Sequence, residues 1–61
     1  MKRRDLIRHL EVHGCEKVRE GGRHTIYRNP ATGRSTSVPR HTDVHEVTAR
    51  TICRALGIPE P

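Results

Sequence analysis

Arg19-Glu20-Gly21-Gly22-Arg23-His24-Thr25-Ile26-Tyr27-Arg28-Asn29-Pro30 reads as a strand end, a tight glycine turn and a second strand. Paired glycines between two extended runs are a two-residue hairpin signal, because the turns that match strand twist need positive φ. Thr25, Ile26 and Tyr27 are good strand formers, so the second strand is expected over residues 23–28. Upstream, Cys15-Glu16-Lys17-Val18-Arg19-Glu20 supplies a short polar first strand over 15–20. Downstream, Asn29-Pro30-Ala31-Thr32-Gly33 is a second turn. A third strand follows over 34–38, ended by Pro39, which has no N–H to donate to a ladder. Two successive hairpins make the sheet antiparallel.

Further outward, both flanks are helical. In residues 3–13, Leu6, Ile7 and Leu10 fall at helical spacing opposite charged residues, and Gly14 suits a helix end. The second helix is expected over 43–56. Thr42 or Asp43 would cap it, with Glu46 completing an acidic relative of the capping box. Val44, Val47, Thr48, Thr51, Ile52, Ala55 and Leu56 form its apolar stripe, and Gly57 and Pro59 stop it. The order is helix, three strands, helix: an α+β domain, with the two helices covering one face of a three-stranded antiparallel sheet. No repeat or linker divides residues 1–61.

A chain of 61 residues buries only roughly 60% of the surface its unfolded form exposes. With no Trp or Phe and one Tyr, its apolar residues suffice for one thin core. The expected members are Leu6, Ile7, Leu10, Val12, Cys15, Val18, Ile26, Tyr27, Val38, Val44, Val47, Ile52, Ala55, Leu56 and Ile58. Any chemistry belongs on a surface or in a shallow groove. The net charge of +5 and a pI of about 10.3 favour polyanionic partners. No apolar run approaches a spanning length, and no signal-peptide pattern opens the chain, so the expected compartment is the cytoplasm. Cys15 and Cys53 form neither a redox pair nor half of a zinc site. They are expected to be reduced, partly buried thiols.

Five histidines raise a metal reading, with His9/His13 and His41/His45 each four apart. Neither pair has a third ligand at usual spacing, and no metal or cofactor is expected. No serine or cysteine triad and no paired carboxylates stand out. What remains is His24 among Arg19, Arg23 and Arg28. Metal-free RNA cleavage needs a base for the ribose 2′-OH and cations for the charge growing on the phosphoryl oxygens. An imidazole, with an ordinary pKa of ~6.5, suits the first task, and guanidinium suits the second. The residues alone leave open a catalytic imidazole and a plain phosphate contact. They also leave open the face His24 occupies. By strict alternation it shares a face with Ile26 and Arg28, and with Ile26 inward it would sit at the rim of the helix-covered face.

Several short pieces together resemble the HicA toxins, the mRNA interferases of HicA–HicB toxin–antitoxin pairs. They are Asp5-Leu6-Ile7-Arg8-His9-Leu10, His13-Gly14-Cys15, Val18-Arg19-Glu20-Gly21-Gly22-Arg23-His24, Tyr27-Arg28-Asn29-Pro30, Val38-Pro39-Arg40-His41 and Ile52-Cys53-Arg54-Ala55-Leu56-Gly57-Ile58. The resemblance implies a double-stranded-RNA-binding-domain-like fold. It also implies a metal-independent endoribonuclease acting on mRNA, and a HicB-like antitoxin that covers the active face. The protein alone would be a monomer, and a hetero-oligomer with its antitoxin. The family's catalytic histidine, in a Gly-Ser-His element, corresponds to His24 in Gly22-Arg23-His24, with Arg23 replacing serine. Its Pro-x-His element corresponds to Pro39-Arg40-His41, with His41 either an auxiliary site residue or a structural one. Lys2, Arg3, Arg4, Lys17, Arg19, Arg23, Arg28, Arg34, Arg40 and His41 are the candidate RNA contacts. The competing reading is a non-catalytic double-stranded-RNA-binding module, which contacts A-form RNA through phosphates and 2′-OH groups.

Overall fold

A computed structural model describes residues 1–61. The elements are α1 (Arg3–Val12), β1 (Glu16–Glu20), β2 (His24–Asn29), β3 (Arg34–Pro39) and α2 (Glu46–Leu56). The sheet is antiparallel in the order β1-β2-β3, with both helices on one face. This is the expected α-β-β-β-α architecture. Leu6 and Leu10 of α1, Val38 of β3, and Cys53 and Leu56 of α2 are fully buried between the layers.

Alternation along β2 resolves the facing of His24. Thr25, Tyr27 and Asn29 point under the helices, whereas His24 and Arg28 are exposed and Ile26 is half-buried on the open face. Tyr27 brings a large ring to the core. The polar residues beside it are tolerated there because each is bonded. Thr25 Oγ1 accepts from Arg3 Nη2 at 3.0 Å. Asn29 Nδ2 donates to the Leu56 carbonyl at 2.8 Å, and its Oδ1 accepts from the Ala31 N–H at 3.0 Å. His24 is therefore not at the rim of the covered face.

Three other expectations are corrected. The first hairpin connection is residues 21–23, with Arg23 in the turn and β2 starting at His24. Neither of its glycines adopts positive φ, unlike Gly14, Gly33 and Gly57. Gly21 is needed for space, since a Cβ there would lie 3.0 Å from the His24 carbonyl oxygen, which accepts the Gly21 N–H at 2.8 Å. Second, α2 begins at Glu46, not at 43. Residues 42–44 instead pair with the N-terminus in an isolated antiparallel bridge, through Arg3 N–H to the Thr42 carbonyl (2.7 Å) and Val44 N–H to the Met1 carbonyl (2.8 Å). With Asp43 drawn into that bridge, His45 takes the cap, its Nδ1 accepting the Val47 N–H at 3.2 Å. Third, the inward stripe of α2 is Ala49, Ile52, Cys53 and Leu56. Val47, Val12 and Val18 are exposed, and Val18 lies where the β1–β2 register shifts. Both cysteines are buried and free.

Candidate active site

His24 opens β2 directly opposite Pro39, the last residue of β3. His24 and Pro39 form a non-hydrogen-bonded pair, so the missing Pro39 N–H lies on the edge away from β2, and the next ladder bond runs from the Arg40 N–H to the Arg23 carbonyl at 3.2 Å. Arg40 turns its guanidinium back over the glycine loop, donating from Nη1 to the Gly21 carbonyl at 3.0 Å. The loop is thereby pinned from both strands. Past Arg40 the chain is caught again, at Thr42, by the Arg3 N–H. His41 thus hangs between two fixed backbone points.

The result is an open groove of about 440 Å³ lined by Gly22, Arg23, His24, Pro39, Arg40 and His41. Both imidazoles and two guanidinium groups face it, and His24, His41, Arg23 and Arg40 are all exposed. This lining suits a charged polymer backbone better than an apolar ligand. A smaller hollow of about 200 Å³ lies at Lys2, Arg3, Arg4 and Thr42, and one hydrogen bond links its lining to that of the groove. Arg3 Nε donates to the Pro39 carbonyl at 2.8 Å.

The remaining candidate contacts are spread over the molecule. Arg19 lies on the open sheet face opposite Ile26, and Arg28 sits between Glu16 and Ser35. Arg28 is four residues, roughly 13 Å, along β2 from His24. Arg34 pairs with Asn29 at the far end of the sheet, beside Thr32 and Gly57. Lys17 lies 3.8 Å from Glu20, and Lys2 lies 3.6 Å from Asp43. Arg4 is exposed on the first turn of α1. Arg3 is half-buried with two of its nitrogens turned inward.

Of the other histidines, His9 Nε2 donates to the Pro59 carbonyl at 2.7 Å, and His13 Nδ1 donates to the His9 carbonyl at 2.9 Å. Nothing in the spacing of residues flagged Arg3 or His45 as structural, because their partners are set by the tertiary path of the chain. No helix is long and apolar enough to cross a membrane.

Fold and groove together define a small basic α+β protein with two imidazoles and two guanidinium groups on one solvent-open edge. Residues 3–58 match the model of the family described as HicA toxin of bacterial toxin-antitoxin systems, and the chain belongs to that family. No curated protein sequence and no solved structure matches it. Membership supports a toxin role within such a pair.

Proposed function

We propose that the protein is a metal-independent endoribonuclease that cleaves mRNA, with His24 as general base. The observation that carries this reading is the shared groove: His24 and His41 line it with Arg23 and Arg40, at a rigidly tied strand end. An RNA backbone laid in the groove brings a 2′-OH to His24. The imidazole takes its proton, the 2′-oxygen bonds to phosphorus, and the bond from phosphorus to the 5′-oxygen breaks. Arg23 and the free nitrogens of Arg40 neutralise the charge on the non-bridging oxygens. His41 faces the same space and is the group at hand to protonate the leaving 5′-oxygen. An acidic, HicB-like antitoxin would silence the enzyme by covering this cationic edge, and a net charge of +5 would speed their encounter.

The test is His24→Ala, with an in-vitro-transcribed mRNA as substrate. Cleavage is expected to fall by at least the ~10²-fold typical of general-base removal. RNA affinity should stay within a few-fold, because only one side chain on a surface of many cations is lost. Equal cleavage by the variant and the wild type would remove the mechanism. RNA binding without cleavage by either would mark a binding module instead.

A further inference from the structure

Arg3 makes three contacts behind the groove, each to a residue that neighbours an imidazole along the chain or across the sheet. Nη2 donates to Oγ1 of Thr25, the residue after His24, at 3.0 Å. Nε donates to the carbonyl of Pro39, the cross-strand partner of His24, at 2.8 Å. Its backbone N–H holds the carbonyl of Thr42, the residue after His41, at 2.7 Å. Thr25 is completely buried, so this brace is anchored in the core rather than in solvent. The Pro39 carbonyl points away from β2, on the free edge of the sheet, and the Arg3 guanidinium satisfies it there. We infer that Arg3 is a positioning residue, which sets His24 and His41 relative to one another through Thr25 and Pro39. The planar fork reaches both acceptors at once, and a lysine ammonium at the same position has no such paired geometry.

The inference rests on the nuclease reading, so its test includes a readout that does not. In the full-length protein, Arg3→Lys keeps the charge and removes the fork. Thr25→Val keeps the shape and removes the acceptor without touching surface charge. Single-turnover cleavage of an in-vitro-transcribed mRNA at saturating protein is expected to fall on the order of 10²-fold in Arg3→Lys, the scale of a misplaced catalytic group. RNA affinity, measured in the His24→Ala background, should change less than about threefold, since the charge remains. Thr25→Val should act in the same direction, non-additively with Arg3→Lys, and Thr25→Ser should retain more of the rate. The ring resonances of His24 and His41 should shift in Arg3→Lys, while those of His13, held by its own helix, stay in place.

Unchanged His24 and His41 resonances would overturn the positioning role whatever the activity. So would a loss confined to RNA affinity, the signature of a simple phosphate contact. If Arg3→Lys does not fold, the contrast between Thr25→Val and Thr25→Ser decides in the same way. A wild-type protein that cuts no RNA, yet shows the ring shifts in Arg3→Lys, would discard the nuclease reading and leave the positioning intact.

Discussion

At the scale of single residues, the site depends on a few close approaches at one strand end. Gly21 is the tightest. Its N–H meets the His24 carbonyl, and a Cβ added here would lie a tight 3.0 Å from that oxygen. Gly21→Ala therefore forces backbone, not a flexible side-chain tip, to move. We expect a destabilisation of up to about 1 kcal/mol, the low end of the range for overpacking, together with a lower cleavage rate. Gly22→Ala meets nothing within 4 Å and is the matched control for stability. Thermal melts and single-turnover rates of the two variants check this, and equal melting temperatures would contradict it.

Among the elements, α2 is held at its two ends by unlike devices. At the C-terminus Gly57 takes the left-handed conformation at φ 73°. Its N–H reaches the Arg54 carbonyl while Ile58 N–H reaches that of Cys53, both at 3.0 Å, a Schellman closure with Ile58 folded onto the core. The N-terminus has only His45, a less favoured capping residue than Asp, Asn or Ser. His45→Ala is expected to lose about 0.5–1 kcal/mol, or roughly 4–8 °C in Tm per kcal/mol for a chain of this size. His45→Asp should raise Tm, because a carboxylate both caps the helix and complements its dipole. Calorimetry of the two variants against wild type tests the order, and a lower Tm for His45→Asp would contradict the cap. His45 does not line the groove, so RNA cleavage measured below either Tm should not change.

Taken whole, the molecule has a core too thin to spare any member. Burial pushes the thiols of Cys15 and Cys53 above their ordinary 9.0, with Cys15 and Glu60 adding to the effect on Cys53. Burial likewise raises Tyr27 above 10.0, helped by Glu11 and Glu20 and opposed by Arg3. In all three the folded state holds its proton more tightly than the unfolded state. Their contribution to stability is thus complete below the ordinary values and is lost as pH rises through the raised ones. Tm should be level near neutrality and decline once pH passes the ordinary thiol value of 9.0. In Cys53→Ala the starting Tm should be lower and the alkaline decline shallower. A Tm that holds steady across the alkaline range would show that burial of these groups carries no such linkage.

Residue types and spacing alone determined the element order, the antiparallel sheet and the cationic surface, and marked His24 as an imidazole among arginines. Turn signals, strand propensity and helical periodicity act between near neighbours, so they can be read along the chain. The inward stripe of α2, its start at Glu46, and the exposure of Val12, Val18 and Val47 could not be read that way. Which face of β2 is buried was decided only in three dimensions. Strand alternation permits either face. Thr25, Tyr27 and Asn29 went inward because Arg3, 22 residues from Thr25, and the Leu56 carbonyl, 27 from Asn29, were there to satisfy the polar groups among them. His24 was thereby turned out to solvent. The placing of His24 and His41 in one groove has the same origin. It depends on Pro39 ending β3 opposite His24, and on the N-terminus pinning residues 42–44 in a β-bridge where their sequence favours a helix start.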